Sequence, residues 1–156
     1  MDTLCPNIVS FDGYQYKTSL ICLVTGLVFD IYSKTRDAIL PDLIAFVRLY
    51  RRSIHVIQCD NAGEFHDSDT GQAVAQEGVY FFFSVPRKSY YNGKVERYNR
   101  WSTVMSNTFR FAAGGVLPIM WTASHRIAKH IHNRIHDSKG RHAPLALTTG
   151  YTQNIG

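Results

Sequence analysis

The chain is poor in cysteine. Its three, Cys5, Cys22 and Cys59, form no C-x-x-C pair and no even set. No disulfide framework is implied, and a reduced compartment is the default. Long apolar runs are missing too. None approaches the ~20 residues that a membrane span needs, and no secretory signal is legible. No internal repeat and no low-complexity stretch occurs, which leaves no sign of a solenoid or a flexible array. No Ser/His/Asp constellation for covalent catalysis is evident. Seven histidines are present, several of them in HRIAKHIHNRIH (125–136), but no cysteine lies near to complete a structural zinc tetrad. Their spacing spreads them around a helix, so polar surface or capping roles are expected.

What is there is a chain of 156 residues, one domain by length, with 45% hydrophobic and 19% charged residues. That balance argues for a packed core and against disorder. The net charge of +5 permits binding to polyanions. Its distribution says more than its size. Arg87, Lys88, Lys94, Arg97 and Arg100 fall within fourteen positions around Glu96.

The first third reads as β. Tyr14 to Val24 and Leu27 to Tyr32 are rich in aromatic and aliphatic residues and flank the turn signal Thr25-Gly26. Asp12-Gly13 predicts a hairpin back to the segment that carries Asp2. Asp37 to Arg52 reads as a helix, with Leu40, Leu43, Ile44, Val47 and Tyr50 on one side. Ile54 to Cys59 is a strand ending at Asp60. Thr70 to Glu77 is a short helix stopped by Gly78, and Val79 to Val85 is a strand. Residues 86–93 are a loop. Lys94 to Ala113 is a long helix whose buried face is expected at Tyr98, Trp101, Met105, Phe109 and Ala112. A last helix runs from Pro118 to about His136, with a stripe of Met120, Ala123, Ile127, Ile131 and Ile135. The folded core is expected over 1–136, with 137–156 a loosely ordered extension. The order predicts an α/β fold with a mixed five-stranded sheet, three antiparallel strands and then two more, flanked by helices.

Two stretches carry the chemistry, CDNAGEF (59–65) and YYNGKVERYNR (90–100). Asp60 ends a strand, where side chains in α/β sheets project into a crevice. Glu96 opens a helix, with Arg100 one turn further on the same face. Two divalent cations about 3.5–4 Å apart need bridging and flanking oxygens, and Asp and Glu supply them. Asp2 is the upstream candidate. Asp12 reads as a turn residue, and Asp30, inside LVFDIY, is open to either side of its strand.

In order and spacing, DNAGEF, S-x-P and NG-x-x-ER-x-NR resemble the catalytic core of a copia-type long-terminal-repeat retrotransposon integrase, with the retroviral integrases more distant. The resemblance extends from MDTLCP, through GYQYKTSLICLVTGLVFDIYSKTR, to MWTASHRIAKHIHNR and APLALTTG. It implies a ribonuclease-H-like fold with Asp2, Asp60 and Glu96 as the catalytic and metal-holding carboxylates for two Mg²⁺ or Mn²⁺ ions. It implies Asn61, Glu64 and Gly93 as supporting residues. Arg87, Lys88, Asn92, Lys94, Arg97 and Arg100 are the candidate DNA contacts. Tyr90 and Tyr91 stand ready to stack on bases or to pack. The implied activity is 3′-end processing and strand transfer, with element ends and target DNA as partners. A homo-oligomer acting in the nucleus, reached through a cytoplasmic particle, is implied as well. The sequence departs from the family pattern at Cys5-Pro6, at Cys22-Leu23 and at the S-Y-Y of 89–91, and these changes spare the three carboxylates. A nuclease of the same fold and a catalytically decayed DNA-binding remnant are the competing expectations.

Overall fold

In a computed structural model of the protein, the described residues are 1–50, 53–59, 69–83, 92–115, 117–135 and 142–150. Strands β1 (Asp2–Leu4), β2 (Tyr16–Ile21) and β3 (Val28–Ser33) form an antiparallel meander in the order β1-β2-β3. The β2–β3 turn is tight. Cys22 N–H donates to the Leu27 carbonyl at 2.8 Å, and Gly26 sits at φ +77°, where a side chain would be strained. Helix α1 (Leu40–Tyr50) follows a 3₁₀ turn at Asp37–Ile39. Pro41 is its second residue, where no backbone donor is needed. Strand β4 (Val56–Cys59), helix α2 (Asp69–Gln76) and strand β5 (Tyr80–Phe83) follow, and β4 and β5 pair in parallel. Helices α3 (Gly93–Ala112), α4 (Trp121–Arg134) and α5 (Pro144–Thr149) complete the chain.

One expectation needs correction. Among the described residues the strands form a three-stranded and a two-stranded sheet, not one sheet of five. Strand β1 is three residues long, so beyond its ladder with Lys17, Thr18 and Ser19 of β2 it leaves few backbone groups along its other edge. Next to it, the Met1 amino group donates to the Gln58 carbonyl of β4.

Cross-strand partners share a face of a sheet. On the meander, Leu20 stands opposite Phe29 and Thr18 opposite Ile31. This face meets α1, where Phe29 lies 4.8 Å from the Phe46 ring and 4.9 Å from Tyr50. Leu43 and Val47 are fully buried there, in one cluster with Ile57, Val74 and Val79. The helix stripe expected for α1 holds.

The opposite face meets α3 and is built differently. The buried residues of α3 are Val95, Tyr98, Asn99, Ser102 and Ser106. Trp101, Met105 and Phe109 are half-buried and Ala112 is exposed, so the expected apolar stripe is displaced. In α4 the buried set is Trp121, Thr122, Ser124, His125 and Ala128, while Ile127 and Ile135 are exposed. The physical reason is close approach. Ser106 and Ser124 meet at 2.6 Å between the helices, a contact that bulky side chains would prevent. His125 departs from the expected surface role, packing edge-on against Trp121. Asn133 ties the end of α4 to β3. Its amide accepts from the Val28 N–H and donates to the Val28 carbonyl, each at 2.9 Å. That covers an otherwise open strand edge.

Candidate functional site

Asp2, Ser19 and Asp30 stand in one row across the three strands, because Asp2 is opposite Ser19 and Ser19 opposite Asp30. Alternation aims all three at α3. Asp30, left open to either side by the sequence, is thereby placed inside. Its side chain is fully buried, as is Lys17, whose Nζ lies 4.0 Å from Asp30 Oδ1.

A chain of contacts joins this row. Ser19 Oγ lies 2.7 Å from Asp30 Oδ1 and 2.8 Å from Asn99 Oδ1, and its single proton serves one acceptor at a time. Asn99 Nδ2 donates to Asp2 Oδ2 at 2.8 Å. Tyr98 hydroxyl donates to Asp30 Oδ2 at 2.9 Å. Lys17 Nζ donates to Ser102 Oγ at 3.0 Å and sits 5.0 Å over the Tyr98 ring. Burial pulls the Lys17 pKa down, against the attraction of Asp30 and Asp2. Burial, with the Asp30 charge behind it, pushes the Tyr98 hydroxyl up. Buried charges are tolerated where they are paired and hydrogen-bonded, and here they are.

Asp2 is half-buried at the end of this network. Glu96 is exposed on the first turn of α3. It lies three residues before Asn99, so both occupy one side of the helix. The Asn99–Asp2 bond therefore brings the helix turn carrying Glu96 against the strand carrying Asp2. Asp60, Asn61, Glu64, Arg87, Lys88, Tyr90 and Tyr91 lie outside the described residues. Among the described residues no group of three His, Cys, Asp or Glu is placed to hold a metal ion.

The basic candidates divide. Arg97 and Arg100 are exposed on α3. Lys94 is exposed, and its ammonium donates to the Leu23 carbonyl. Asn92 is 6% exposed and uses its amide on the Met1 carbonyl at 3.4 Å. Gly93 begins α3 with nothing within 4 Å of an added Cβ and no positive φ, so the backbone does not demand glycine there. The sequence reading missed a role for Asn99. The signal was available, since Asn99 sits in the Glu96-Arg97-Tyr98-Asn99-Arg100 run one turn after Glu96. It also missed Lys17, whose alternation with Ser19 puts both on the face of Asp2.

No protein-family model matches the chain. No curated protein matches it either. Among solved structures, the chain is similar to one chain of the cryo-EM structure of a simian T-cell lymphotropic virus intasome in complex with PP2A regulatory subunit B56 gamma. The TM-score is 0.76 at 13% sequence identity, over 99% of this chain and 54% of that one. At that identity the likeness is one of fold. The chain spans about half the length of the chain it matches. No helix among the described residues is long and apolar enough to cross a membrane.

Proposed function

We propose that the chain is the catalytic core of an integrase of the copia-type resemblance, with a ribonuclease-H-like fold, acting on DNA ends and target DNA. The observation that carries this reading is the 2.8 Å bond from Asn99 to Asp2. It ties the strand of Asp2 to the helix whose first turn carries Glu96, in a fold similar to that of one chain of a viral intasome complex. Asp2, Asp60 and Glu96 are the residues that would hold two Mg²⁺ or Mn²⁺ ions. The donor set fits, because carboxylate oxygens are the hard ligands such ions take. Bound ions would supply charge neutralisation at the attacking and leaving oxygens of a phosphodiester.

The chain's own residues do the rest. Asn99 fixes one oxygen of Asp2, so the carboxylate is oriented before any ligand arrives. Arg97 and Arg100 present guanidinium groups to solvent beside Glu96, suited to phosphate oxygens. Arg87 and Lys88 extend the same basic stretch in sequence. In this reading Asn61 sets the turn after Asp60, Glu64 is an acid supporting the metal-holding carboxylates, and Gly93 lends flexibility just before Glu96. The protein works as a homo-oligomer in the nucleus.

The test is a strand-transfer assay with a labelled element-end duplex and Mg²⁺ or Mn²⁺. Joined product from the wild-type chain, lost in Asp60→Asn and in Glu96→Gln, is the expected result. Cutting without joining assigns the chain to the nucleases of this fold. Salt-dependent DNA binding with neither cutting nor joining assigns it to a decayed remnant.

A further inference from the structure

The chain of side chains between β2 and α3 is one proton short. Ser19 Oγ lies 2.7 Å from Asp30 Oδ1 and 2.8 Å from Asn99 Oδ1. Both partners are acceptors, and the hydroxyl has a single proton. Lys17, Ser19 and Asn99 are buried and the Asp30 side chain is fully buried, so bulk water does not make up the deficit. Asp30 Oδ2 already accepts from the Tyr98 hydroxyl at 2.9 Å. Asn99 Nδ2 donates to Asp2 Oδ2 at 2.8 Å, which turns the Asn99 oxygen toward Ser19. If Ser19 gives its proton to Asp30, two oxygens with no proton between them face each other at 2.8 Å. Turning the Asn99 amide over relieves that contact but sets its oxygen against Asp2. A carboxylate outcompetes a neutral amide for the proton unless its charge is answered from elsewhere. Lys17 is placed to answer it. Its Nζ is 4.0 Å from Asp30 Oδ1, and a shift of about 1 Å makes a charge-assisted hydrogen bond. The same helix turn holds Lys17 in place. Lys17 Nζ donates to Ser102 Oγ at 3.0 Å, and Ser102 Oγ donates to the Asn99 carbonyl at 3.1 Å.

We propose that Lys17 is a positioning residue for Asp2, acting through the direction of this chain of bonds. With its ammonium on Asp30, the Ser19 proton goes to Asn99 Oδ1. The Asn99 amide is then held from both sides, its oxygen on Ser19 and its nitrogen on Asp2. Without Lys17 the Ser19 proton goes to Asp30, the amide turns over, and its oxygen pushes the Asp2 carboxylate out of place. A plain ion pair does not account for the arrangement, because 4.0 Å is too long for a hydrogen bond and leaves the Ser19 deficit standing. Strand register brings these groups together, since Lys17 and Ser19 alternate onto one face of β2 and Ser19 stands between Asp2 and Asp30. The consequence for metal binding rests on the integrase reading of Asp2, whereas the direction of the bonds does not.

The experiment compares the full chain with Lys17→Met and with Lys17→Met combined with Ser19→Ala. NMR reads whether the side-chain amide protons of Asn99 lie near the β-protons of Asp2 or near those of position 19. They are expected near Asp2 in the unaltered chain and near Ser19 in Lys17→Met. Removing the Ser19 hydroxyl ends the contest for its proton, so the double change is expected to return them to Asp2. A merely structural role of Lys17 does not give that rescue. An Asn99 amide facing Asp2 in all three proteins overturns the proposal, and so does a double change that fails to restore it. Should Lys17→Met not fold, a neutron structure of the unaltered chain decides. A Ser19 deuteron directed at Asn99 supports the proposal, and one directed at Asp30 overturns it. Titration with Mn²⁺ is the second readout. Affinity is expected to fall at least tenfold in Lys17→Met and to recover in the double change. Equal affinity in all three proteins overturns the step from Asn99 to Asp2. An unaltered chain that binds no Mn²⁺ refutes the integrase reading instead, and the direction of the Asn99 amide then decides this inference alone.

Discussion

The two faces of the three-stranded sheet are built from opposite materials. Toward α1 the sheet presents Leu20, Phe29 and Ile31 to Leu43 and Val47, a mainly apolar contact whose threonines, Thr3 and Thr18, bond to each other. Toward α3 it presents Lys17, Ser19 and Asp30 to Tyr98, Asn99 and Ser102, and hydrogen bonds join them. The first face holds the fold by removing apolar surface from water. The second gains far less from burial, because its groups give up hydration to be there. What it supplies is direction. A hydrogen bond fixes an angle, and Asp2, the candidate ligand, hangs from the end of this network. Stability is thus concentrated on one side of the sheet and orientation on the other.

The sharpest way to break this contrast is to leave a charge alone on the polar face. Asp30→Ala removes the acceptor shared by Ser19 and Tyr98 and strands the Lys17 ammonium. A loss of about 3–5 kcal/mol is expected in chemical denaturation. The double change Lys17→Met with Asp30→Leu is expected to cost much less, since nothing charged remains buried. Equal losses from the single and the double change would show that the network stabilises the fold outright.

On the apolar face the corresponding test is Leu43→Ala. A fully buried leucine truncated to alanine costs about 2–5 kcal/mol through lost burial and the cavity left behind. Leu43→Met, nearly conserving volume, is expected to cost less than about 1.5 kcal/mol. If Leu43→Ala also altered the orientation of Asp2, read from the side-chain amide signals of Asn99 by NMR, the division between the faces would fail.

The same contrast explains what the sequence could and could not show. The α1 face was legible because apolar side chains recur at helical spacing, and Leu43 and Val47 lie where the period puts them. The meander was legible from its aromatic runs and from Thr25-Gly26. On α3 and α4 the period misled. The bulky residues Trp101, Phe109 and Ile127 mark positions near the surface, while Ser102, Ser106 and Ser124 mark the contact. Small polar residues carry little weight in a hydrophobic pattern, yet they allow two helices to approach. Asp2 and Glu96 were singled out by motif, but the bonds of Asn99 and Ser19 needed the strand register, which no spacing reveals. The single five-stranded sheet failed at β1, whose three residues reach too few partners.

A smaller effect on the polar side comes from His125. Burial, then the charges of Lys17 and Arg110, hold its pKa down at about 3. In the unfolded chain the ordinary value is about 6.5. Between those values the unfolded chain binds a proton that the fold refuses, so stability falls as pH drops through that window. The loss by pH 4 is on the order of 3 kcal/mol, from 1.36 kcal/mol per pKa unit. Melting curves from pH 7 to 4 are expected to flatten in His125→Gln. An unchanged slope would assign the acid sensitivity to other groups.

The smallest expected effect concerns the other kind of ion pair. Arg48 of α1 and Glu77 meet at 2.8 Å, both through Arg48 Nε and through Nη2. By distance this pair is far better made than Lys17 and Asp30 at 4.0 Å. Distance alone would rank it first. Solvent reverses the ranking, because the Arg48 side chain is 65% exposed. Water and salt screen an exposed pair, and ordering a long side chain has an entropic cost. Arg48→Ala is therefore expected to cost about 0.2–1 kcal/mol, shrinking further in 1 M salt. The Asp30→Ala loss should persist at the same ionic strength, because its charges are shielded from ions. Denaturation of both variants at low and high salt measures the difference. If the Arg48 loss matched that of Asp30 and neither responded to salt, burial would not be what separates the two sides of this molecule.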